Sequence, residues 1–315
     1  MIHHSIWLWI IFIILVLVLL ILDIGVFHKE KKEISFKQSL YYSLFYFVIA
    51  LCFSVFIYFK IGANGTKEYL TGYLIEKTLA LDNIFVISMV FQYFAIPRIY
   101  QHRVLFWGIL GVIVLRAILI GVGATLVHEF EWIMYIFGLF LLVTGIKMVL
   151  IKEQTFDLNN NFILKFIKKH FKVTETLHEE KFFVKIKENK GKAVYYCTPL
   201  FVCLVIIEVI DLVFAIDSVP AIFAITNDPY IVYTSNIFAI LGLRTLYFTL
   251  AEMVHRFKYL KYSLSALLIF IGGKILLSEF IGKIPASISL IVTVVVLLLG
   301  ILYSIYKTNS KEVKK

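Results

Sequence analysis

Charge is scarce in this chain. Asp, Glu, Lys and Arg make up 17% of its 315 residues, against about a quarter in a soluble globular domain. Beside a 61% hydrophobic content, that shortage excludes an ordinary soluble fold. Cysteine is scarce too. Cys52, Cys197 and Cys203 all fall in apolar runs, without zinc-type spacing or a disulfide framework, so buried free thiols are expected. No basic n-region precedes the first apolar run, and no small-residue cleavage site follows it. That run is expected to stay as the first helix of the mature protein. There is no glycine-rich nucleotide loop and no serine nucleophile elbow. His128-Glu129 begins a zinc-protease pattern, but Trp132 stands where the second histidine belongs. The expectation is a protein that is not an enzyme and has no cofactor.

What the chain has is apolar length. Runs such as Ile6 to Leu22 and Ile284 to Ile305 approach the roughly 20 residues that cross a hydrocarbon core. Nine spans are expected, near 5–27, 40–60, 71–93, 104–127, 131–151, 196–222, 231–254, 261–280 and 285–306. Backbone groups in lipid must be satisfied within the segment, which makes these helices. The ten-residue alternation of a barrel is absent. The fold class expected is an all-α polytopic membrane protein, with the lipid bilayer as its first partner.

The net charge of +10 would suit nucleic acid, but its placement argues otherwise. Of 31 Lys and Arg residues, 23 fall in one alternating set of loops. The other set holds Lys60, Lys67 and Lys283. Five lie within spans: Lys77, Arg116, Lys147, Arg244 and Lys274. This asymmetry places the N-terminus outside and the C-terminus in the cytoplasm. The long basic loop 152–195 is then cytoplasmic. Within it, 162–169 reads either as an amphipathic helix on the membrane surface or as an orientation-setting linker. Cytoplasmic partners of this loop are one further expectation.

Two segments repeat. Leu79-Ala80-Leu81-Asp82-Asn83 matches Phe214-Ala215-Ile216-Asp217-Ser218, and Glu76 aligns with Asp211 at the same offset. Leu115-Arg116 matches Leu243-Arg244, Val127-His128 matches Val254-His255, and Gly145 with Lys147 matches Gly272 with Lys274. Each repeat holds three helices, an odd number, so the two run in opposite directions. Inverted repeats of this kind place a substrate site near the midplane. The chain divides accordingly. Residues 1–69 hold two N-terminal helices, 70–151 the first repeat, 152–195 the loop, 196–280 the second repeat, and 281–315 the last helix and tail.

The polar residues inside the spans carry the chemistry. Each central acid or base costs about 2.5–3.5 kcal/mol on insertion scales, so each must face protein or a wet cavity. Glu76 and Asn83 share a helix face two turns apart, with Asp82 one residue round. Asp211, Asp217 and Ser218 repeat that layout, and Glu208 sits one turn before Asp211. Pro220 is expected to free a carbonyl near residue 216 and break the helix locally. Carboxylates with amide, hydroxyl and carbonyl oxygens suit Mn²⁺, Mg²⁺ or Ca²⁺. Asp82 and Asp217 are the expected core of such a site. Arg116, Arg244, Lys147 and Lys274 are expected in structural ion pairs. Seven acids, with Asp23 and Glu252 included, face five bases, so charge alone leaves three readings open. They are a cation pathway, proton-coupled transport of an organic solute, and structural pairing. Gly108-x-x-Gly111, Gly121-x-Gly123 and Gly272-Gly273 are expected to serve close helix packing.

Four stretches resemble the TerC/Alx family of bacterial integral membrane proteins. They are 79–86 (LALDNIFV), 100–109 (YQHRVLFWGI), 211–221 (DLVFAIDSVPA) and 234–244 (TSNIFAILGLR), and the likeness covers about residues 70–280. The resemblance implies a lysine-exporter-like transporter of the bacterial inner membrane, associated with Mn²⁺ export, alkaline pH and tellurite resistance. It also implies that Asp82 and Asp217 lie in the family's acidic motifs and that Asn236 falls in another. The expected function is export of a divalent metal ion such as manganese, with proton coupling. The rivals are export of a cationic amino acid and a membrane scaffold in metal or tellurite resistance.

Overall fold

A computed structural model describes residues 5–25, 35–130, 132–150, 162–174, 176–187, 193–250, 260–278 and 285–312. Expectations on Glu252, on His255 and on parts of the basic loop lie outside the described residues. The chain forms α1 (Ile6–Gly25), α2 (Phe36–Ile61), α3 (Ala63–Tyr93), α4 (Arg98–Glu129), α5 (Ile133–Leu150), α6 (Phe162–His170), β1 (Phe183–Lys187) and β2 (Ala193–Cys197). There follow α7 (Pro199–Phe223), α8 (Pro229–Leu241), α9 (Leu243–Leu250), α10 (Leu260–Leu276) and α11 (Ala286–Glu312). Among the described residues, seven segments are long and apolar enough to cross a membrane: α1, α2, α4, α5, α7, α8 with α9, and α11. Large apolar side chains cover their outer faces, including Ile14 and Leu17 of α1 and Leu299 and Leu302 of α11. Patches of this extent need lipid or protein against them. The protein is an all-α polytopic membrane protein. Of the remaining expected spans, α3 is long but carries Lys67, Glu68, Glu76, Lys77, Asp82 and Asn83, and α10 has 17 residues.

Two connections differ from the sequence expectation. The loop expected between the second and third spans is one residue, Gly62. Its φ of +98° is open to glycine and costly for other residues. Its amide closes α2 on the Ile57 and Tyr58 carbonyls, and its carbonyl accepts from the Thr66 amide and hydroxyl at the start of α3. The span expected at 231–254 is broken at Gly242 into α8 and α9. Lys77 of α3 lies there and donates to the Ala239 carbonyl at 3.1 Å. A Cβ on Gly242 would sit 2.7 Å from that ammonium.

The break expected near residue 216 does not occur. α7 runs through Pro220 to Phe223. Pro220 has no amide for the Ile216 carbonyl, yet the helix continues three residues past it.

The basic loop is also more ordered than a linker. β1 and β2 pair antiparallel, Phe183 opposite Cys197 and Lys187 opposite Ala193. α6 buries Leu164 and Ile167 in the cluster that includes Leu200 and Cys203 of α7. Its apolar stripe therefore meets protein. Arg103 Nη1 donates to Glu180 Oε2 at 3.2 Å, tying this region to the start of α4.

α3 lies at the centre, against α2, α7, α8 and α11, while α4 packs on α7 and α5 on α10. Glycines set the closest approaches. A Cβ on Gly272 of α10 would meet the Gly138 carbonyl of α5 at 2.6 Å, and one on Gly145 would meet the Ser265 carbonyl at 3.0 Å. The Ser265 hydroxyl donates to the Gly145 carbonyl. Gly123 faces Phe223 closely, whereas Gly121 and Gly273 have no neighbour there. Helix packing explains three of these glycines and not those two.

Candidate functional site

The site forms where α3 and α7 cross antiparallel beneath α4. Arg116, from the middle of α4, is 1% exposed and brings three side chains together. Its Nη1 donates to Glu76 Oε1 and to Ser218 Oγ, both at 2.7 Å. Its Nε donates to Asp211 Oδ2 at 3.3 Å, and its Nη2 reaches Asp211 Oδ1 at 3.5 Å. Asn83 Nδ2 donates to that same Oδ1 at 3.1 Å. One guanidinium thus faces two carboxylates, a hydroxyl and, through Asp211, an amide. All are buried. A planar five-donor fork suits this task, because each partner meets a different N–H.

An offset of 135 in the sequence aligns Glu76 with Asp211 and Asn83 with Ser218. Asn83 binds Asp211, while Glu76 and Ser218 share one Arg116 nitrogen. Each pairing becomes the other when the halves are exchanged. The arginines do not follow this pattern. Arg244, aligned with Arg116 at an offset of 128 in the sequence, donates from Nη2 to Asp23 Oδ1 of α1 at 2.7 Å, and its guanidinium lies 5.9 Å from the Phe106 ring centre. Asp23 lies in α1, before the aligned segments.

The structure describes the backbone of Asp82 and Asp217 in α3 and α7, but their side chains lie outside the described ones. Each precedes a network member, Asn83 or Ser218, by one residue. Asn236 is fully buried in α8, and neither Oδ1 nor Nδ2 has a partner among the described residues. One turn on, Ile240 lines a cavity of about 30 Å³ whose wall also includes Asn83, Asp211, Gly108 and Arg244. A second cavity, of about 50 Å³, lies on the other side of the network, between α3, α4, α5, α7 and α10. Glu76, Asn83, Arg116, Ser218 and Thr144 are on its wall. Asn83 borders both. Each cavity has room for about one or two waters, so the polar network stands between two small chambers.

Lys274 donates to the Ser289 hydroxyl of α11 at 3.0 Å, and Lys147 is exposed on α5. Among the described residues, no group of three or more His, Cys, Asp or Glu side chains converges as a metal cluster would.

Three residues gain a place that sequence reasoning missed. Asp23 takes Arg244, and Lys77 takes the break in the α8–α9 span. Glu208 fills the space at Gly108-x-x-Gly111. A Cβ on Gly111 would come within 2.6 Å of both Glu208 oxygens, and neither oxygen has a partner among the described residues. These glycines make room for a carboxyl group, beyond simple helix packing. The available signals were an intramembrane arginine in need of an anion and a Gly-x-x-Gly on a helix with a buried acid opposite.

The family described as integral membrane protein TerC matches residues 61–312. A protein called "Uncharacterized membrane protein" from Rickettsia bellii is 56% identical over 288 residues, covering 91% of this chain and 93% of the relative. The "Putative membrane-bound redox modulator Alx" of Photorhabdus laumondii is 46% identical over 260 residues, 80% of each chain. The protein with the same description from Salmonella typhi is 41% identical over 289 residues, 89% of this chain and 88% of the relative. No solved structure matches this chain.

Proposed function

This chain belongs to the integral membrane protein TerC family, and on that premise we propose that it exports a divalent metal ion such as manganese across a bacterial inner membrane. The observation that carries this reading is the buried quartet of Glu76, Asn83, Asp211 and Ser218, whose contacts exchange with one another under the repeat. The α5–α10 contacts support the same relation. Gly138 meets Gly272, and Gly145 meets Ser265, and an offset of 127 converts one contact into the other. An inverted repeat with acids at its centre suits alternating access about a midplane site. In this reading α3 and α10 also cross the bilayer, giving nine spans with the N-terminus outside and the C-terminus cytoplasmic.

Asp82 and Asp217 hold the metal. Each lies one residue round the helix from the network, on equivalent positions of the two repeats. Glu76, Asp211, Asn83, Ser218 and Asn236 form the gate beneath them, closed here by Arg116. Hard oxygen ligands favour manganese over soft-ligand metals. Metal binding displaces protons from carboxylates, so proton return accompanies export. Cys52, Cys197 and Cys203 are free thiols on three separate elements, and the reading rests on carboxylate chemistry.

Cells expressing the wild type should hold less manganese than cells expressing Asp82→Asn or Asp217→Asn at equal membrane abundance. Equal manganese in all three would remove the support for these residues as ligands.

A further inference from the structure

The cavity of about 50 Å³ bears a second set of ligands. Glu76 Oε2 and Asn83 Oδ1 are buried without a hydrogen-bond partner among the described residues, and both residues line this cavity. Glu76 is 1% exposed and Asn83 4%. Burying an acceptor without a donor costs about 1–3 kcal/mol, and more for a charged group. The Asn83 orientation is fixed by chemistry. Asp211 Oδ1 also accepts from Arg116 Nη2, so it is an acceptor toward Asn83, whose amide nitrogen faces it and whose oxygen faces away. Glu76 Oε1 is taken by Arg116, which leaves Oε2 over. Ser218 and Thr144 add hydroxyls to the same wall. Arg116 is also on this wall, its guanidinium N–H groups directed to Glu76 Oε1, Ser218 and Asp211, and the remaining lining residues, Leu79, Met148, Phe214, Leu264 and Leu268, are apolar.

Charge decides which ligand fits. Two carboxyl groups, Glu76 and Asp211, surround one guanidinium, so with both ionised the described network carries one excess negative charge. A divalent ion would overcompensate it, and an anion would worsen it. The leftover atoms are oxygens only, which suits a hard cation. We infer that this cavity is a binding site for one monovalent metal cation of sodium's size, held by Glu76 Oε2 and Asn83 Oδ1 with the Ser218 and Thr144 hydroxyls beside them. Its ligands are other residues than Asp82 and Asp217, which are proposed for the transported metal. Resting on that transport reading, its role is to carry a coupling ion alongside the returning proton. With the cation in place the charges of the Arg116 network balance; without it the carboxylates repel and the crossing of α3 and α7 is free to rearrange.

The site is testable without transport. The purified full-length protein is melted in detergent while NaCl replaces choline chloride at constant ionic strength and pH. A ligand bound only by the folded state raises the melting temperature in a saturable way. Wild type should show that rise with sodium. Glu76→Gln keeps the shape and leaves a balanced Arg116–Asp211 pair, and it should weaken the sodium affinity at least about tenfold. Thr144→Val removes one hydroxyl from the wall, leaves the Arg116 network intact, and should weaken affinity to a smaller degree. A wild type indifferent to sodium overturns the proposal. So does a sodium response unchanged in both variants, or a response to acid alone that Glu76→Gln abolishes, which would assign the position to a proton. Manganese plays no part in this measurement, so its outcome is distinguishable from failure of the export reading.

Discussion

Replacing Arg116 with leucine is expected to destabilise the protein by about 3–5 kcal/mol, the usual cost of breaking a buried ion pair from one side. Glu76 and Asp211 would lose the cation they share and would have to stay charged unpaired or take up protons. Asp211 would retain only the Asn83 amide. Ser218 would lose the donor at 2.7 Å. Lysine is a poor substitute, because a single ammonium cannot present separate, fixed N–H groups to Glu76, Asp211 and Ser218. Thermal unfolding of detergent-purified protein checks this. Arg116→Leu should melt far below wild type, and Arg116→Lys should lie between. Adding Glu76→Gln and Asp211→Asn to Arg116→Leu should recover most of the loss, because the charges then leave together.

Asp23→Asn is expected to have the second-largest effect. Arg244 is 2% exposed and held by Asp23 at 2.7 Å. Asparagine keeps an oxygen for the hydrogen bond but removes the charge, so the loss should fall near the lower end of about 3–5 kcal/mol. This pair ties α1, which precedes the repeats, to α9 within the second repeat. A double-mutant cycle with Arg244→Met should give a coupling energy of roughly 0.5–3 kcal/mol between two residues 221 positions apart. Additive losses in that cycle would mean that the two side chains stabilise the protein independently.

The sequence made helix type and placement readable because lipid imposes one rule, that long apolar runs satisfy their backbone internally. It was less informative where a polar residue interrupts that rule. Gly62 sits in a polar stretch that reads as a loop of ten residues, yet one left-handed glycine closes the turn. Gly242 lies inside an apolar run, and the Lys77 ammonium beside its break comes 165 positions earlier in the chain. Pro220 reads as a breaker until its distance from the helix end is known. The pairing of β1 with β2 was hidden by charge, since a basic loop satisfies the orientation rule whatever its conformation.

The site shows the same division. Paired acids at one offset align Glu76 with Asp211 and Asn83 with Ser218, and intramembrane polar residues are costly enough for such an alignment to carry weight. Spacing along a helix could say that Glu76 and Asn83 share a face. It could not say that Arg116 would take Glu76 and Asp211 together while Arg244 turned to Asp23. Equivalent residues in a repeat have equivalent positions, but their partners depend on what packs outside the repeat. Here that is α1, which has no counterpart in either half.

Transport itself is tested most directly in proteoliposomes holding the purified wild type, with manganese on one side and a manganese-quenched dye on the other. The account predicts protein-dependent manganese flux that excess lysine leaves unchanged and that Asp82→Asn and Asp217→Asn reduce to the level of empty vesicles. Flux no greater than in empty vesicles, or flux of lysine that manganese fails to inhibit, would contradict it.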